Sequence, residues 1–267
     1  MNKSTTRSSR RAIAAGVAAL AASQAAAKES SAAIAPKAPG ETKIVAMITH
    51  DQYHNGVGTE IGLRGVFAPK NDWRFIVART TKVFTPDLIK DADLLIIAAA
   101  SIQEAIDISS DPLAETVVPG GKLWTDETVK AVVDNVRDRG MGLLSLHASL
   151  YSRNRAIGDL LGIEPVMHKE VQPLWVHSLN QTHPVTQGIG KFLIGLDEQF
   201  GAIIKSQYTD TLFETTAVHD KRDAVGGWSL ENGKGRIVGL VPGHLPAAYS
   251  IPEYREILWR AAHWAMR

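Results

Sequence analysis

The chain has 267 residues, 45% of them hydrophobic and 21% charged, the profile of a water-soluble globular domain long enough to bury a substantial core. Its formal charge of +1 hides an asymmetry: Lys3, Arg7, Arg10 and Arg11 lie in the first 27 residues, and setting those four aside from 29 leaves 25 basic residues against 28 acidic. A slightly acidic body without a basic stripe excludes nucleic acid as a partner, and the lack of any cysteine excludes disulfides, thiol catalysis and thiolate metal ligands.

At the N-terminus, Ser9-Arg10-Arg11-Ala12-Ile13 opens a weakly apolar stretch that ends in Gln24-Ala25-Ala26-Ala27, a small-residue pattern suited to signal peptidase. The paired arginines predict a twin-arginine export signal over residues 1–27, a passage through the twin-arginine translocase, cleavage near Ala27 and a periplasmic mature protein. A membrane anchor needs about 20 strongly apolar residues. This run is alanine-rich and broken by Gly16 and Ser23, so no stable membrane anchor is expected. Residues 28–41, rich in Ala, Ser and Pro, predict a disordered leader into an α/β domain over residues 42–267.

Ile44-Val45-Ala46-Met47-Ile48 is a continuous apolar run of the kind a strand buried on both faces requires, and similar runs follow at Phe75-Ile76-Val77-Ala78 and Leu94-Leu95-Ile96-Ile97-Ala98. Residues 101–123, with Pro112 and Pro119-Gly120-Gly121, predict a loop-like insertion. Over 125–139, Val129, Val132, Val133 and Val136 fall at helical spacing, with Thr125 before Asp126 and Glu127 as the start and Gly140 as the stop. Gly142-Leu143-Leu144-Ser145-Leu146 makes a fourth strand. Strands alternating with helices argue for an α/β fold, a mostly parallel sheet with helices on both faces. From 171 to 230 the pattern turns polar-alternating, at 212–218 and 225–230, which predicts antiparallel pairing at a sheet edge or a small appended sheet. A last strand at 236–241 precedes a helix over about 252–265, with Ile257, Leu258, Ala261 and Trp264 on one face.

Open parallel sheets bind ligands outside the carboxyl ends of their strands. Three histidine-bearing segments stand there: Thr49-His50-Asp51-Gln52-Tyr53-His54-Asn55-Gly56 after the first strand, His147-Ala148-Ser149 after the fourth, and Pro242-Gly243-His244 after the last. One such histidine serves as readily for capping as for chemistry, but three on a shared rim point to a site. His147 falls between strand and helix, the place of a nucleophile elbow, where an imidazole suits a metal ligand or general base. Ser149 is the alternative nucleophile, without the flanking glycines of a hydrolase elbow. Asp197-Glu198 reads first as a solvated turn; beside three imidazoles, one carboxylate completes a ligand set for zinc or another divalent transition metal, with a position open for water or substrate. The candidate metal ligands are therefore His54, His147, His244 and Glu198, and the candidate catalytic groups His147, His50 and Glu198. Tyr53, Asn55, Ser149 and Trp175 are candidate substrate contacts, with Trp228 as a further flat face, although aromatics serve equally as core. His183 before Pro184 reads as a turn residue, and His168, His177, His219 and His263 as surface or packing.

Taken together, these segments resemble the trehalose-utilisation family, the ThuA-like proteins. The matching pieces are His54-Asn55, Ala92-Asp93-Leu94-Leu95-Ile96-Ile97, Gly142 through His147, His183-Pro184-Val185-Thr186-Gln187-Gly188-Ile189, Asp197-Glu198-Gln199-Phe200, Gly233-Lys234-Gly235-Arg236-Ile237-Val238 leading to Gly243-His244, and His263-Trp264-Ala265. The resemblance implies a flavodoxin-like fold of the class I glutamine amidotransferase kind, with His147 at the elbow in place of the catalytic cysteine. Glutaminase chemistry is then excluded, because neither thiol nor alcohol stands there. The family's association with sugar catabolism implies a small-molecule sugar substrate. One reading is an exported hydrolase, lyase or isomerase acting on a disaccharide or keto-sugar derivative by metal-assisted acid/base chemistry, with no nucleotide cofactor. The other is a non-catalytic carbohydrate-binding protein on the same fold. Either is compatible with a homo-oligomer.

Overall fold

The computed structural model describes residues 42–51, 53–70, 72–79, 83–99, 124–150, 154–166, 168 and 170–266. The export signal and leader expected over 1–41, and the insertion expected over 101–123, lie outside the described residues. Each apolar run of the first half is a strand. β1 (Ile44–Ile48), buried at all five positions, lies parallel to β2 (Arg74–Ala78) on one side and to β3 (Leu94–Ile97) on the other. β4 (Gly142–Leu146) runs parallel to β3. Between these strands stand α1 (Gly56–Phe67), the short α2 (Pro86–Ile89) and α3 (Asp126–Asp134). The start of α3 follows the sequence signal: Thr125 Oγ1 accepts the Thr128 N–H at 3.2 Å, and Asp126 and Glu127 occupy the electropositive first turn. Its continuation, Asn135–Arg139, widens into a π-helical turn, and Gly140 ends it at φ +85°, where a Cβ would be strained.

α4 (Arg155–Leu161) leads into a second, antiparallel half. β5 (Ile163–Val166) pairs with β8 (Gly201–Ile204) in a separate two-stranded sheet. β6 (Gln172–His177), β7 (Phe192–Asp197), β9 (Thr209–Ala217) and β10 (Asp223–Asn232) extend the main sheet, and β11 (Gly235–Leu240) joins the halves, antiparallel to β10 and parallel to β4. Both arrangements left open by the polar alternation are thus realised, an antiparallel sheet flank and a small second sheet. The nine-stranded order is β2-β1-β3-β4-β11-β10-β9-β6-β7. Its first five members reproduce the 2-1-3-4-5 order of doubly wound sheets, whose ligands bind at the carboxyl rim.

One face of the parallel half (Val45, Met47, Leu94, Ile96, Leu144, Val238) packs in a single cluster with Leu63 and Phe67 of α1 and with Ile257 and Leu258 of the closing helix α5 (Pro252–Ala265). Ala46, Leu95, Leu143 and Ile237, on the other face, are equally buried. Burial on two faces is why these strands read as unbroken apolar runs, while β6 alternates. In a flat sheet β7 would lie about 19 Å from β11, four spacings of about 4.8 Å. Asp197, at the end of β7, nevertheless accepts the Gly243 N–H just beyond β11 at 2.9 Å, so the antiparallel half curls back over the rim. Among the described residues, no helix is long and apolar enough to cross a membrane.

Candidate metal centre

The rim where β1, β4 and β11 end carries one histidine from each, and the curled end of β7 adds a carboxylate. His54, His147, His244 and Glu198 each offer one donor atom, and these atoms all lie within 4.8 Å of one another. The three imidazoles form a triangle of edge-to-face rings, with centroids 4.9, 5.1 and 5.3 Å apart. Glu198 Oε2 lies 3.5 Å from His147 Nε2 and 3.3 Å from His244 Nδ1. Donors held about 2.1 Å from a tetrahedral metal stand about 3.4 Å apart, so these two separations fit a shared cation.

Each ligand is aimed by a neighbour. In the loop after β1, Asp51 accepts the Tyr53 N–H at 2.7 Å and holds His54 Nδ1 at 2.8 and 2.9 Å from its two oxygens, which leaves Nε2 of that ring for the pocket. His147 begins a 3-10 turn (His147–Leu150) at φ +45°, a backbone region uncommon for a residue with a side chain. Its Nδ1–H donates to the Val241 carbonyl at 2.9 Å, so Nε2 carries the lone pair. A histidine whose second nitrogen is tied to a carboxylate or carbonyl is the usual outer arrangement of a metal ligand. His244 is placed by backbone: Asp197 accepts the N–H groups of Gly243, His244 and Glu198 at 2.9, 3.1 and 2.8 Å. The Tyr254 hydroxyl donates to the Pro242 carbonyl at 2.6 Å and pins the same loop. Gly243 has φ +144°, and a Cβ there would meet the Tyr249 hydroxyl at 2.7 Å, so the loop passes only as glycine.

The electrostatics follow from burial. Desolvation holds His147 down to about 4, which keeps Nε2 unprotonated at neutral pH. Burial would raise the Glu198 carboxyl, but His147 and His244 beside it hold it well below the ordinary carboxylate range. Glu198 in return raises His244. Asp197, fully buried, is pushed up to about 7 by desolvation against the pull of its three N–H donors. Among the described residues, His147 Nε2 and His244 Nδ1 are buried with no hydrogen-bond partner. Buried polar atoms are ordinarily paired, and two orphaned nitrogens pointed at one carboxylate fit a cation. Three imidazole nitrogens and a carboxylate oxygen suit zinc or a neighbouring divalent transition metal.

The sequence model of the family described as trehalose utilisation matches residues 42–265. The chain belongs to the trehalose-utilisation family. Among solved structures it is similar to a ThuA-like protein from Parabacteroides merdae (15% identity, 85% of this chain and 90% of that one, TM-score 0.64). Another is a ThuA-like protein from Bacteroides uniformis (16% identity, 86% and 94%, TM-score 0.62). A glutamine amidotransferase from Thermotoga maritima shares the fold at 13% identity over 85% and 98%, with a TM-score of 0.52. These likenesses establish the class I amidotransferase-like, flavodoxin-type fold. No curated protein matches the chain in sequence.

In this trehalose-utilisation chain the four residues read from the sequence as metal ligands converge, while the other candidates divide. Tyr53 stays beside the cluster, 56% exposed, its ring edge-on to His54 at 6.3 Å. His50 is not in the quartet: its Nδ1 pairs with Thr49 Oγ1 at 2.8 Å and its ring packs over Gly56. Asn55 caps α1, its Oδ1 accepting the Gly58 N–H at 2.8 Å. Ser149 is buried against Ser145, Oγ to Oγ 2.6 Å, which removes it both as a substrate contact and as an accessible nucleophile. Trp175 lies on the outward face of β6 under the Lys191 ammonium, opposite the buried Leu174 and Val176. Trp228 is core, its Nε1–H donating to the Leu161 carbonyl. Two contributors escaped sequence reasoning. Asp51, three residues before His54 in a loop, bore the only available signal, an acid beside a histidine; His168, read as surface or packing, stands 3.3 Å from Glu198 Oε1.

Proposed function

We propose that the protein is an exported sugar-processing enzyme that binds a divalent transition metal, zinc first, at His54, His147, Glu198 and His244. It acts on a disaccharide or keto-sugar derivative by metal-assisted acid/base chemistry, with no nucleotide cofactor. The observation that carries this reading is the pair of orphaned buried nitrogens, His147 Nε2 and His244 Nδ1, facing Glu198 beside a third imidazole. A metal bound there would polarise a carbonyl or activate a water. The remaining work belongs to the chain. Asp51 and the Val241 carbonyl hold two rings in one tautomer, Phe200 packs against His147 with ring centroids 4.6 Å apart and keeps bulk water off that side, and the exposed Tyr53 ring offers a flat face to a sugar beside the cluster. Membership of a family described by trehalose utilisation supports the substrate class, and Arg10-Arg11 with the Ala25-Ala26-Ala27 ending supports export by the twin-arginine route to the periplasm.

The test uses protein purified after native export. Elemental analysis is expected to find about one transition metal per chain. Incubation with disaccharides and their 3-keto forms should change the mass of at least one of them, and a chelator should stop the change. Metal-free protein that binds a sugar and returns it intact would establish the carbohydrate-binding reading instead.

A further inference from the structure

Glu198 is the member of the quartet whose two oxygens face different partners. Oε2 points to His147 and His244, whereas Oε1 lies 3.3 Å from Nδ1 of His168. His168 comes from the segment between β5 and β6, remote in sequence from all three rim loops. Its ring stands edge-on to Phe200 at 4.7 Å, and Phe200 meets His147 at 4.6 Å, so one phenyl ring spaces the two imidazoles on either side of the carboxylate. The His168 side chain is 35% exposed against 12% for Glu198, which puts it on the solvent side. A carboxylate beside a cation can engage through one oxygen or both. Engagement through both would fill the position a substrate oxygen needs at an open catalytic metal.

Resting on the metal reading above, we infer that His168 is a positioning residue that keeps Glu198 to a single ligating oxygen. The contact of its Nδ1 with Oε1 at 3.3 Å holds that oxygen away, so the carboxylate presents Oε2 alone and a fifth coordination place stays open toward the exposed side, where a sugar hydroxyl or carbonyl oxygen enters. Without His168, Oε1 swings inward and closes that place.

Cobalt(II) titration of the chelator-treated mature protein tests this, since the visible band of cobalt weakens as its coordination number rises. His168→Ala is expected to give a weaker band than wild type and to change cobalt affinity by about 10–100-fold, as loss of an outer partner does elsewhere. His168→Asn, whose amide N–H can occupy the place of Nδ1–H, should restore the wild-type spectrum. A merely structural role would lower the melting temperature of His168→Ala and leave the spectrum unmoved. Wild-type spectrum and affinity in His168→Ala, with cobalt binding abolished in Glu198→Gln, would overturn the inference while the metal site stands. A wild-type protein that takes up no cobalt would overturn the metal reading and this inference with it.

Discussion

The rim and the turn at residues 183–189 each bury a histidine, and the contrast between them separates an imidazole with both nitrogens engaged from one with a nitrogen left for a ligand. His183 is 8% exposed and has both nitrogens engaged: Nδ1 accepts the Val185 N–H at 3.2 Å, which leaves Nε2–H to donate to Ser229 Oγ at 3.2 Å. His147 is 2% exposed, with one nitrogen on the Val241 carbonyl and the other, among His54, His244 and Glu198, without a hydrogen-bond partner among the described residues. Burial lowers the pKa of both rings, so desolvation alone does not tell them apart. Hydrogen-bond accounting does. An unsatisfied buried polar atom costs about 1–3 kcal/mol, and His147 carries a positive φ as well. The fold tolerates both penalties at the rim and neither at the turn, as expected where a bound ligand supplies the missing partner.

The largest expected effect would sharpen that contrast. His147→Asn, chosen because asparagine tolerates left-handed backbone, should abolish stoichiometric metal in elemental analysis. His183→Asn should keep its metal and lose about 1–3 kcal/mol of stability, read as a lower melting temperature by about 2–4 °C for each kcal/mol. Metal lost from the His183 variant and kept by the His147 variant would reverse the assignment of the two rings. A smaller effect is expected one step outward: Asp51→Asn, which weakens the grip on His54 Nδ1, should reduce metal affinity by about 10–100-fold in a chelator competition. The smallest is with pH. Glu198 raises His244, so a proton competes with metal for that ring as pH falls through its raised pKa, whereas His147, held down to about 4, has none to give at neutral pH. Affinity should therefore fall as pH is lowered, by about tenfold per unit once that ring is protonated, for one displaced proton. A slope of two protons would mean that a second ligand also has to lose a proton.

Much of the architecture was legible because its physics is local. Five consecutive apolar residues at 44–48 specify a strand covered on both sides, Thr125 and Gly140 bracket a helix by supplying an N–H acceptor and a left-handed stop, and polar alternation after residue 171 marks strands with one dry face. The placing of His54, His147 and His244 on one rim follows from the same reasoning, since the ends of parallel strands share an edge. Side-chain roles in the loops were not legible. Nothing in residues 49–55 says that His54 turns inward on Asp51 while His50 packs on Gly56, or that Asn55 caps a helix and Ser149 joins a buried hydroxyl pair.

The sequence by itself determined the α/β class, the family and the chemical types available for a site, because hydrophobic periodicity, capping residues and the absence of cysteine act through near neighbours and composition. Only the tertiary structure decided that β7, four strands from β11, curls back to set Asp197 under Gly243 and Glu198 among three imidazoles. That curl is a property of the whole twisted sheet and of the core it wraps, and no window of residues encodes it.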